Sequence, residues 1–188
     1  RRYYLGPAVY GLTMASGHIR AGLVTHADLE ALSQETKLTV FLGVQAGDYL
    51  IYVDEAGTDD VAGYEARSNI RRTLLATASG KALLAAQSTM KRDAYLRRRG
   101  PNEQADVENL LNELEDITRT RIATNLRLSK TRFAIGTAVR NQVGEPVAAV
   151  TLVGPTAELQ PRVARLSKIL LRHVDSWAQR STNPREAI

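Results

Sequence analysis

Small side chains cluster in the segment Ala76-Thr77-Ala78-Ser79-Gly80-Lys81, at the start of a predicted helix through Ala86. The first amide groups of a helix lack partners within it and lie at the positive end of the helix dipole. Because such small side chains let an anion approach the backbone, Ala78, Ser79 and Gly80 form a candidate cradle for a carboxylate or phosphate. The same residues would equally allow the helix to pack closely on a sheet without binding anything.

The patterns expected of an enzyme or a metal site are missing. Leu75 occupies the position of a required glycine in a nucleotide P-loop, and Ala82 stands where Ser or Thr would hold magnesium. The chain has no cysteine, and its three histidines are far apart in sequence. Ser79 and Lys81 do not have the spacing of a hydrolase nucleophile. We therefore expect no catalytic residues, no metal site and no cofactor.

Two predicted strands near the C-terminus form a candidate roof for the cradle. They cover 133–140 and 146–153, and the residues 141–145 between them have the composition of a hairpin loop. One face of this pair carries Ala134, Gly136, Ala138, Thr151 and Val153. The small side chains predict a hollow, and a hollow facing Ala78 would be an apolar pocket with one anion-binding end. Tight packing without a cavity is the alternative.

The surrounding helices and strands must position the helix start at Ala78 relative to the two strands at 133–140 and 146–153. Thr25 and Asp28 have the spacing of a capping box at the start of a helix. Two β-branched and aromatic stretches, 38–44 and 49–53, flank Gly47-Asp48 and predict a hairpin. Helices are predicted at 106–119 and 156–179 from apolar spacings of three and four. The predicted fold is α+β, a central antiparallel sheet with helices packed around it and a long C-terminal helix.

Composition and charge restrict the partners. The 188 residues are 44% hydrophobic and carry a net charge of +5, with nine basic and three acidic side chains in 61–104. Much of this excess lies in the predicted helix 91–99, where we expect Ala94, Tyr95 and Leu96 to face inward and the cations to face water. No second aromatic residue interleaves with these arginines, so we expect no direct DNA contact from this segment. No apolar run is long enough to span a membrane, and we expect a cytoplasmic protein.

Several motifs occur in the order and spacing of the IclR-type transcriptional regulators, which the chain resembles over nearly its whole length. The motifs are Tyr4-Leu5-Gly6-Pro7, Val40-Phe41-Leu42-Gly43-Val44, Tyr52-Val53-Asp54, Ala76-Thr77-Ala78-Ser79-Gly80-Lys81-Ala82-Leu83-Leu84-Ala85 and Val150-Thr151-Leu152-Val153-Gly154-Pro155. The resemblance implies a GAF-like domain at 23–180 that binds an effector and mediates dimer or tetramer formation. It also implies a linker helix in 1–22 and a winged helix-turn-helix that binds operator DNA and precedes Arg1. The composition of residues 181–188 predicts a polar tail.

The resemblance further implies that an effector carboxylate meets the backbone around Ala78 and Ser79. Where relatives that bind small oxo-acids have an acidic residue, this chain has Asn125 or Thr124. The remaining positions implied by the resemblance are Ala134 in place of a cysteine, Thr151, which keeps a hydroxyl, and Val153, which loses one. Such losses should weaken the binding of a small polar acid. We therefore expect a larger, partly aromatic or aliphatic carboxylate. Arg132 or Arg127 would supply a second, charge-assisted contact, and exposure of both at the surface is the favoured alternative.

Three classes of function follow from these observations. The first is an effector-binding domain of a transcriptional regulator, in which a small carboxylate alters operator binding. The second is an oligomerisation scaffold of the same regulator that binds no ligand. An enzyme on this fold is disfavoured because the chain lacks the cysteines that such an oxidoreductase would use.

Overall fold

A computed structural model of the protein describes residues 24–57, 72–98, 107–126 and 131–180. The predicted linker helix in 1–22, Arg127 and the predicted polar tail at 181–188 lie outside these ranges. Within them no helix is long and apolar enough to cross a bilayer.

The helices and strands follow each other in an α+β order. The helices are α1 His26–Thr36, α2 Ala78–Ala86, α3 Thr89–Arg97, α4 Val107–Thr120, α5 Thr156–Leu159 and α6 Val163–Arg180. The strands are β1 Thr39–Ala46, β2 Tyr49–Ala56, β3 Arg72–Thr73, β4 Ala123–Leu126, β5 Arg132–Arg140 and β6 Pro146–Pro155. Short 3-10 helices cover Leu74–Ala76 and Gln160–Arg162. The predicted α+β fold with a central antiparallel sheet is confirmed.

Local signals in the sequence place several of these boundaries. The predicted capping box is present, with Thr25 accepting from the amide of Asp28 and the Asp28 side chain accepting from Thr25. Ser88 caps α3, its side chain accepting from the amide of Lys91. Gly47 takes a left-handed φ of 62° in the two-residue turn between β1 and β2, a conformation that glycine adopts without steric cost.

The six strands form one antiparallel sheet in the order β3-β2-β1-β6-β5-β4. The two predicted hairpins, β1–β2 and β5–β6, are both present, and β1 joins them by pairing with β6. At this junction Thr39 lies opposite Val153. The centre of the sheet is therefore built from segments that are distant in sequence.

Helices cover both faces of the sheet and bury one apolar cluster on each. On one face, α1 and α6 contribute residues such as Leu32, Leu170 and Trp177 to the first cluster. On the other face, α2, α3 and α4 contribute residues such as Leu83, Tyr95 and Leu114 to the second. At roughly 25 cal/mol per Å² of buried apolar surface, these clusters are the main source of stability.

Two details of the predicted helices are wrong. The C-terminal helix is not continuous from 156, because Pro161 lacks an amide hydrogen and the chain forms a 3-10 turn before α6 begins at Val163. In α3, Tyr95 is buried and Leu96 is partly buried, but Ala94 is exposed to solvent. Residues that follow one another on a helix point about 100° apart, so three in a row cannot share one buried face.

Candidate functional site

A cavity of about 90 Å³ lies between the start of α2 and the sheet. Its described lining combines an apolar wall with cationic and hydrogen-bonding groups: Tyr52, Arg72, Ala76, Thr77, Ala78, Asn125, Arg132, Phe133, Ala134 and Val153. None of these lining residues is acidic. The cavity has the mixed character typical of small-molecule sites, which are mostly apolar with a few polar groups.

The first turn of α2 supplies the backbone edge of the cavity. The side chain of Thr77 caps the helix by accepting from the amide of Gly80 at 3.0 Å, and its carbonyl accepts from the amide of Lys81 at 3.0 Å. Within the described residues, the amides of Ala78 and Ser79 have no hydrogen-bond partner. Ala78 borders the cavity, and its unpaired amide belongs to the positive end of the helix dipole.

Three strands supply the floor of the cavity through one row of paired residues. Asn125 lies opposite Ala134, and Ala134 lies opposite Val153. Residues directly opposite each other in an antiparallel sheet share a face, so all three side chains lie on the side of α2. The amide group of Asn125 donates to the carbonyl of Ala76 at 3.2 Å, which links β4 to the segment before α2.

The hollow predicted along β5 is only partly open. At Gly136 an added Cβ would lie 3.1 Å from the carbonyl carbon of Ala78 and 3.2 Å from the nitrogen of Ser79. Because Gly136 has no side chain, α2 can approach the strand closely. At this position the structure therefore shows the tight packing that was the alternative to a hollow. Space remains at Ala134, while Ala138 borders a separate cavity of about 20 Å³.

A chain of hydroxyl groups connects the cavity wall to the sheet. The hydroxyl of Ser79 forms a hydrogen bond with that of Thr151, and the phenol of Tyr52 lies 3.4 Å from Ser79. Ser79 and Thr151 are buried and do not border the cavity. The Tyr52 ring lies against Phe41, with 5.3 Å between the ring centroids, so the phenol is held at the wall of the cavity.

Two arginines carry the positive charge of the site. Arg72 on β3 lies opposite Leu50 on β2. Leu50 belongs to the apolar cluster beneath α2, so Arg72 lies on the face of the sheet that borders the cavity. Arg72 is exposed and makes no side-chain hydrogen bond or ion pair within the described residues. Arg132 begins β5 two positions before Ala134, and strand alternation places both on the same face.

The structure brings half of the residues predicted for the site to the cavity. Ala78, Asn125, Ala134 and Val153 border it. The other four predicted residues, Ser79, Gly80, Thr124 and Thr151, are not among its described lining residues. Gly80 instead packs against the preceding turn, where an added Cβ would lie 2.1 Å from the carbonyl oxygen of Leu74. Thr124 lies opposite Ile135, whose side chain belongs to the cluster on the other face.

Sequence reasoning missed several lining residues, most importantly Arg72 and Tyr52. Arg72 lies six residues before Ala78, and the pairing of β3 with β2 places it on the cavity face of the sheet, which no local pattern in the sequence indicates. Arg132, for which a second ligand contact and an exposed surface position are the two alternatives, is partly buried and borders the cavity. No group of histidines and carboxylates in the described part of the chain is arranged to hold a metal ion.

An ion pair braces α2 from its outer side. The ammonium group of Lys81, which is mostly buried, donates to the carboxylate of Glu113 on α4 at 2.5 Å. Lys81 is the one charged residue of α2, and this contact engages its ammonium group. Lys81 therefore supports the position of the helix and is not part of the described lining.

Comparison with known proteins gives one family. The profile described as bacterial transcriptional regulator IclR C-terminal matches residues 14–180. The match covers most of the chain and defines it as part of a bacterial transcriptional regulator. The chain belongs to this family, as the C-terminal domain of an IclR-type transcriptional regulator. No curated protein sequence matches the chain.

Solved structures share the fold at low sequence identity. The IclR regulator of Alicyclobacillus acidocaldarius is 21% identical, with a TM-score of 0.77 over 96% of this chain and 76% of that one. IclR of Thermotoga maritima is 21% identical, with a TM-score of 0.75 over 93% and 75%. The inducer-binding domain of Acinetobacter PobR, a double mutant in complex with 3-hydroxybenzoic acid, is 18% identical, with a TM-score of 0.70 over 81% and 94%.

Proposed function

We propose that this domain binds a small organic acid with an apolar body, either a single aromatic ring or a short branched chain. The observation that carries the proposal is the cavity itself, in which Arg72, Arg132 and Ala78 surround a floor that includes Ala134 and Val153. Guanidinium groups bind carboxylates through paired hydrogen bonds, and apolar walls favour a hydrocarbon body. The aromatic acid in the PobR inducer-binding domain supports the same chemistry.

The size of the cavity limits the ligand. Its volume of about 90 Å³ is below the ~150 Å³ of an engineered apolar cavity that binds benzene. The exposed position of Arg72 places the charged end of a ligand toward solvent, which adds room beyond the enclosed volume. A benzoate-sized or five-carbon acid fits these dimensions better than a polycyclic acid.

In this proposal the bound acid alters operator binding by a winged helix-turn-helix of the same regulator. A ligand changes that output only if it binds one arrangement of the regulator better than another. The domain would act as a homodimer or tetramer, which light scattering of the purified chain tests directly. The domain itself performs no chemistry on the acid.

Thermal unfolding of the chain with a panel of acids tests the proposal. Benzoate, 3-hydroxybenzoate, phenylacetate, isovalerate and pyruvate form a suitable panel. A specific ligand at 100 times its dissociation constant adds about 2.7 kcal/mol to the free energy of unfolding. Ala134→Leu should fill the cavity and abolish the response while the protein still unfolds cooperatively. Exposed Ala94→Leu is the matched control and should leave the response unchanged.

Absence of any response in the folded wild-type chain would contradict the proposal. That result would favour an oligomerisation scaffold without a ligand. Response to an acid that persists in Ala134→Leu would place the binding site elsewhere.

A further inference from the structure

We infer that Arg72 holds the carboxylate of the ligand at the open end of the cavity, and that the apolar end of the ligand lies inward, away from solvent. The inference rests on the proposed function and specifies it, because it assigns the group that binds the acid and the class of acid that fits. The family resemblance implies a different arrangement, in which the carboxylate meets the backbone around Ala78 and Ser79.

The start of α2 leaves little room for a carboxylate. The third and fourth amides of the helix already donate to Thr77, one to its hydroxyl and the other to its carbonyl. Ala78 and Ser79 are only 1% and 0% exposed. Strand β5 packs against both, since a Cβ added at Gly136 would lie 3.1 Å from the carbonyl carbon of Ala78 and 3.2 Å from the nitrogen of Ser79. Anion sites at helix starts depend on several accessible amides, which this helix does not offer.

Arg72 offers an accessible cation at the same cavity. It borders the cavity, and its side chain is exposed and makes no hydrogen bond or ion pair with the described residues. A ligand therefore displaces no partner when it binds this group. Arg132, the second cation of the described lining, takes part in another interaction within the protein. A planar guanidinium group binds a carboxylate through two parallel hydrogen bonds, which suits Arg72 to this role.

The cavity opens on the side of Arg72. Among the described lining residues, Arg72 and Ala76 are the two that are exposed, and both belong to the short segment before α2. Ala78 and Val153, which are 1% and 4% exposed, lie at the buried end. A carboxylate on Arg72 keeps part of its hydration, whereas the hydrocarbon end of the ligand covers buried apolar side chains. Burial thus favours this orientation over the reverse.

This orientation defines the class of acid that the site accepts. Carbon atoms added next to the carboxylate extend toward solvent and meet little of the protein. Carbon atoms added at the opposite end meet Ala134 and Val153 in a cavity of only about 90 Å³. The site should therefore accept acids that are branched beside the carboxylate and reject acids that are lengthened at the far end. A carboxylate bound at Ala78 would give the reverse selection.

Two isomeric acids test the orientation in the wild-type chain. 2-Methyl-2-phenylpropanoate carries two carbons more than phenylacetate beside the carboxylate, whereas 4-ethylphenylacetate carries them at the far end of the ring. The isomers have the same composition and the same charge. By isothermal titration calorimetry, the first should bind at least about 10-fold more tightly than the second, as a misplaced methylene group or two in a closed pocket predicts. Equal affinities or the reverse order would overturn the inference.

Removal of the guanidinium group tests the carboxylate contact. Benzoate and benzamide have nearly the same shape, as do isovalerate and isovaleramide, but only the acids are charged. In the wild-type chain the acid of at least one pair should bind at least about 10-fold more tightly than its amide, the effect of one charge-assisted hydrogen bond. Arg72→Gln should reduce this ratio to about twofold or less and leave the affinity for the amide unchanged. Arg165→Gln, on the exposed side of α6, is the matched control and should keep the wild-type ratio.

Two further variants identify the cation and guard against a loss of structure. Arg72→Lys keeps the charge without the paired donors and should lower the ratio at least about threefold; it decides the matter if Arg72→Gln does not fold. Arg132→Gln should keep a clear preference for the acid, and this charge comparison decides if neither phenylacetate isomer binds.

The possible results separate this inference from the proposed function. A preference for the acid that survives both Arg72 substitutions, or that is lost in Arg132→Gln alone, would overturn the assignment of Arg72 while leaving a carboxylate site intact. If the folded chain binds none of these acids, the proposed function fails and the assignment of Arg72 fails with it.

Discussion

The hydroxyl of Ser79, in the first turn of α2, forms a hydrogen bond with the hydroxyl of Thr151, 72 residues further along the chain in the middle of β6. Both side chains are buried. The bond joins the helix to the sheet and engages both hydroxyl groups. A residue that the family resemblance assigned to ligand binding is thus used here to hold α2 in place.

Disruption of this pair should be more costly than its complete removal. Thr151→Val leaves the buried Ser79 hydroxyl without its main partner, which should cost about 1–3 kcal/mol of unfolding free energy. The double variant Ser79→Ala/Thr151→Val removes both polar groups and should be less destabilised than the sum of the two single variants. Urea unfolding of all four proteins measures the coupling, and strictly additive changes would show that the two hydroxyls do not interact.

Gly80 should tolerate no side chain. An added Cβ would lie 2.1 Å from the carbonyl oxygen of Leu74, and this backbone atom cannot yield without moving the 3-10 turn. We expect Gly80→Ala to destabilise the protein by more than about 2 kcal/mol, as overpacking at rigid sites does. Gly144→Ala is the comparison, because nothing lies within 4 Å of its Cβ and only its φ of 82° opposes the change. A Gly80→Ala protein as stable as Gly144→Ala would refute the close contact.

Val153 should control the choice between apolar and polar acids. It is almost fully buried and borders the cavity, and Val153→Thr replaces a methyl group with a hydroxyl of similar size. We expect the affinity ratio of benzoate to pyruvate to fall at least 10-fold, since one group of this kind changes discrimination by about 10–200-fold. Val150→Thr makes the same change on the opposite face of β6 and should leave the ratio unchanged. An equal effect of both substitutions would exclude a direct contact.

Acid should weaken the contact between α1 and α6. Glu35 on α1 binds Arg172 and His173 on α6, with 2.8 Å between its carboxylate and His173 Nε2. The hydrogen bond with His173, and then that with Arg172, holds the pKa of Glu35 below its ordinary value. A lowered folded-state pKa stabilises the protein above the unfolded pKa of about 4.3, and the contribution is lost as the pH falls through the folded value.

Glu35→Gln should therefore cost stability at pH 7 and progressively less as the pH falls below about 4.3. Unfolding free energies of wild type and variant at pH 7, 5, 4 and 3 measure the difference. Exposed Glu158→Gln is the control for the loss of one charge. A difference between wild type and Glu35→Gln that is independent of pH would show that the carboxylate charge contributes nothing.

The parts of the fold that local sequence encodes were predictable. The capping box at Thr25, the turn at Gly47 and the two hairpins each depend on residues a few positions apart. The cavity was harder to predict because it depends on strand order. Ala78 and Ala134 could be placed near each other from their small side chains, but the position of Arg72 on the cavity face follows from the pairing of β3 with β2, at the other side of the sheet from β5. The space at Gly136 was equally hard to predict, because no pattern in the strand indicates whether a helix fills the space above this residue.

The pairing of β1 with β6 has a consequence for how the protein is made. Thr39 and Val153 meet although 114 positions separate 39 from 153, and the cavity floor includes Val153. At roughly 5–20 residues per second, a ribosome needs about 6–23 s to add that stretch. During this interval the nascent chain has the first hairpin but no binding cavity, so an effector cannot assist the early steps of folding and can stabilise the domain only after β6 has been synthesised.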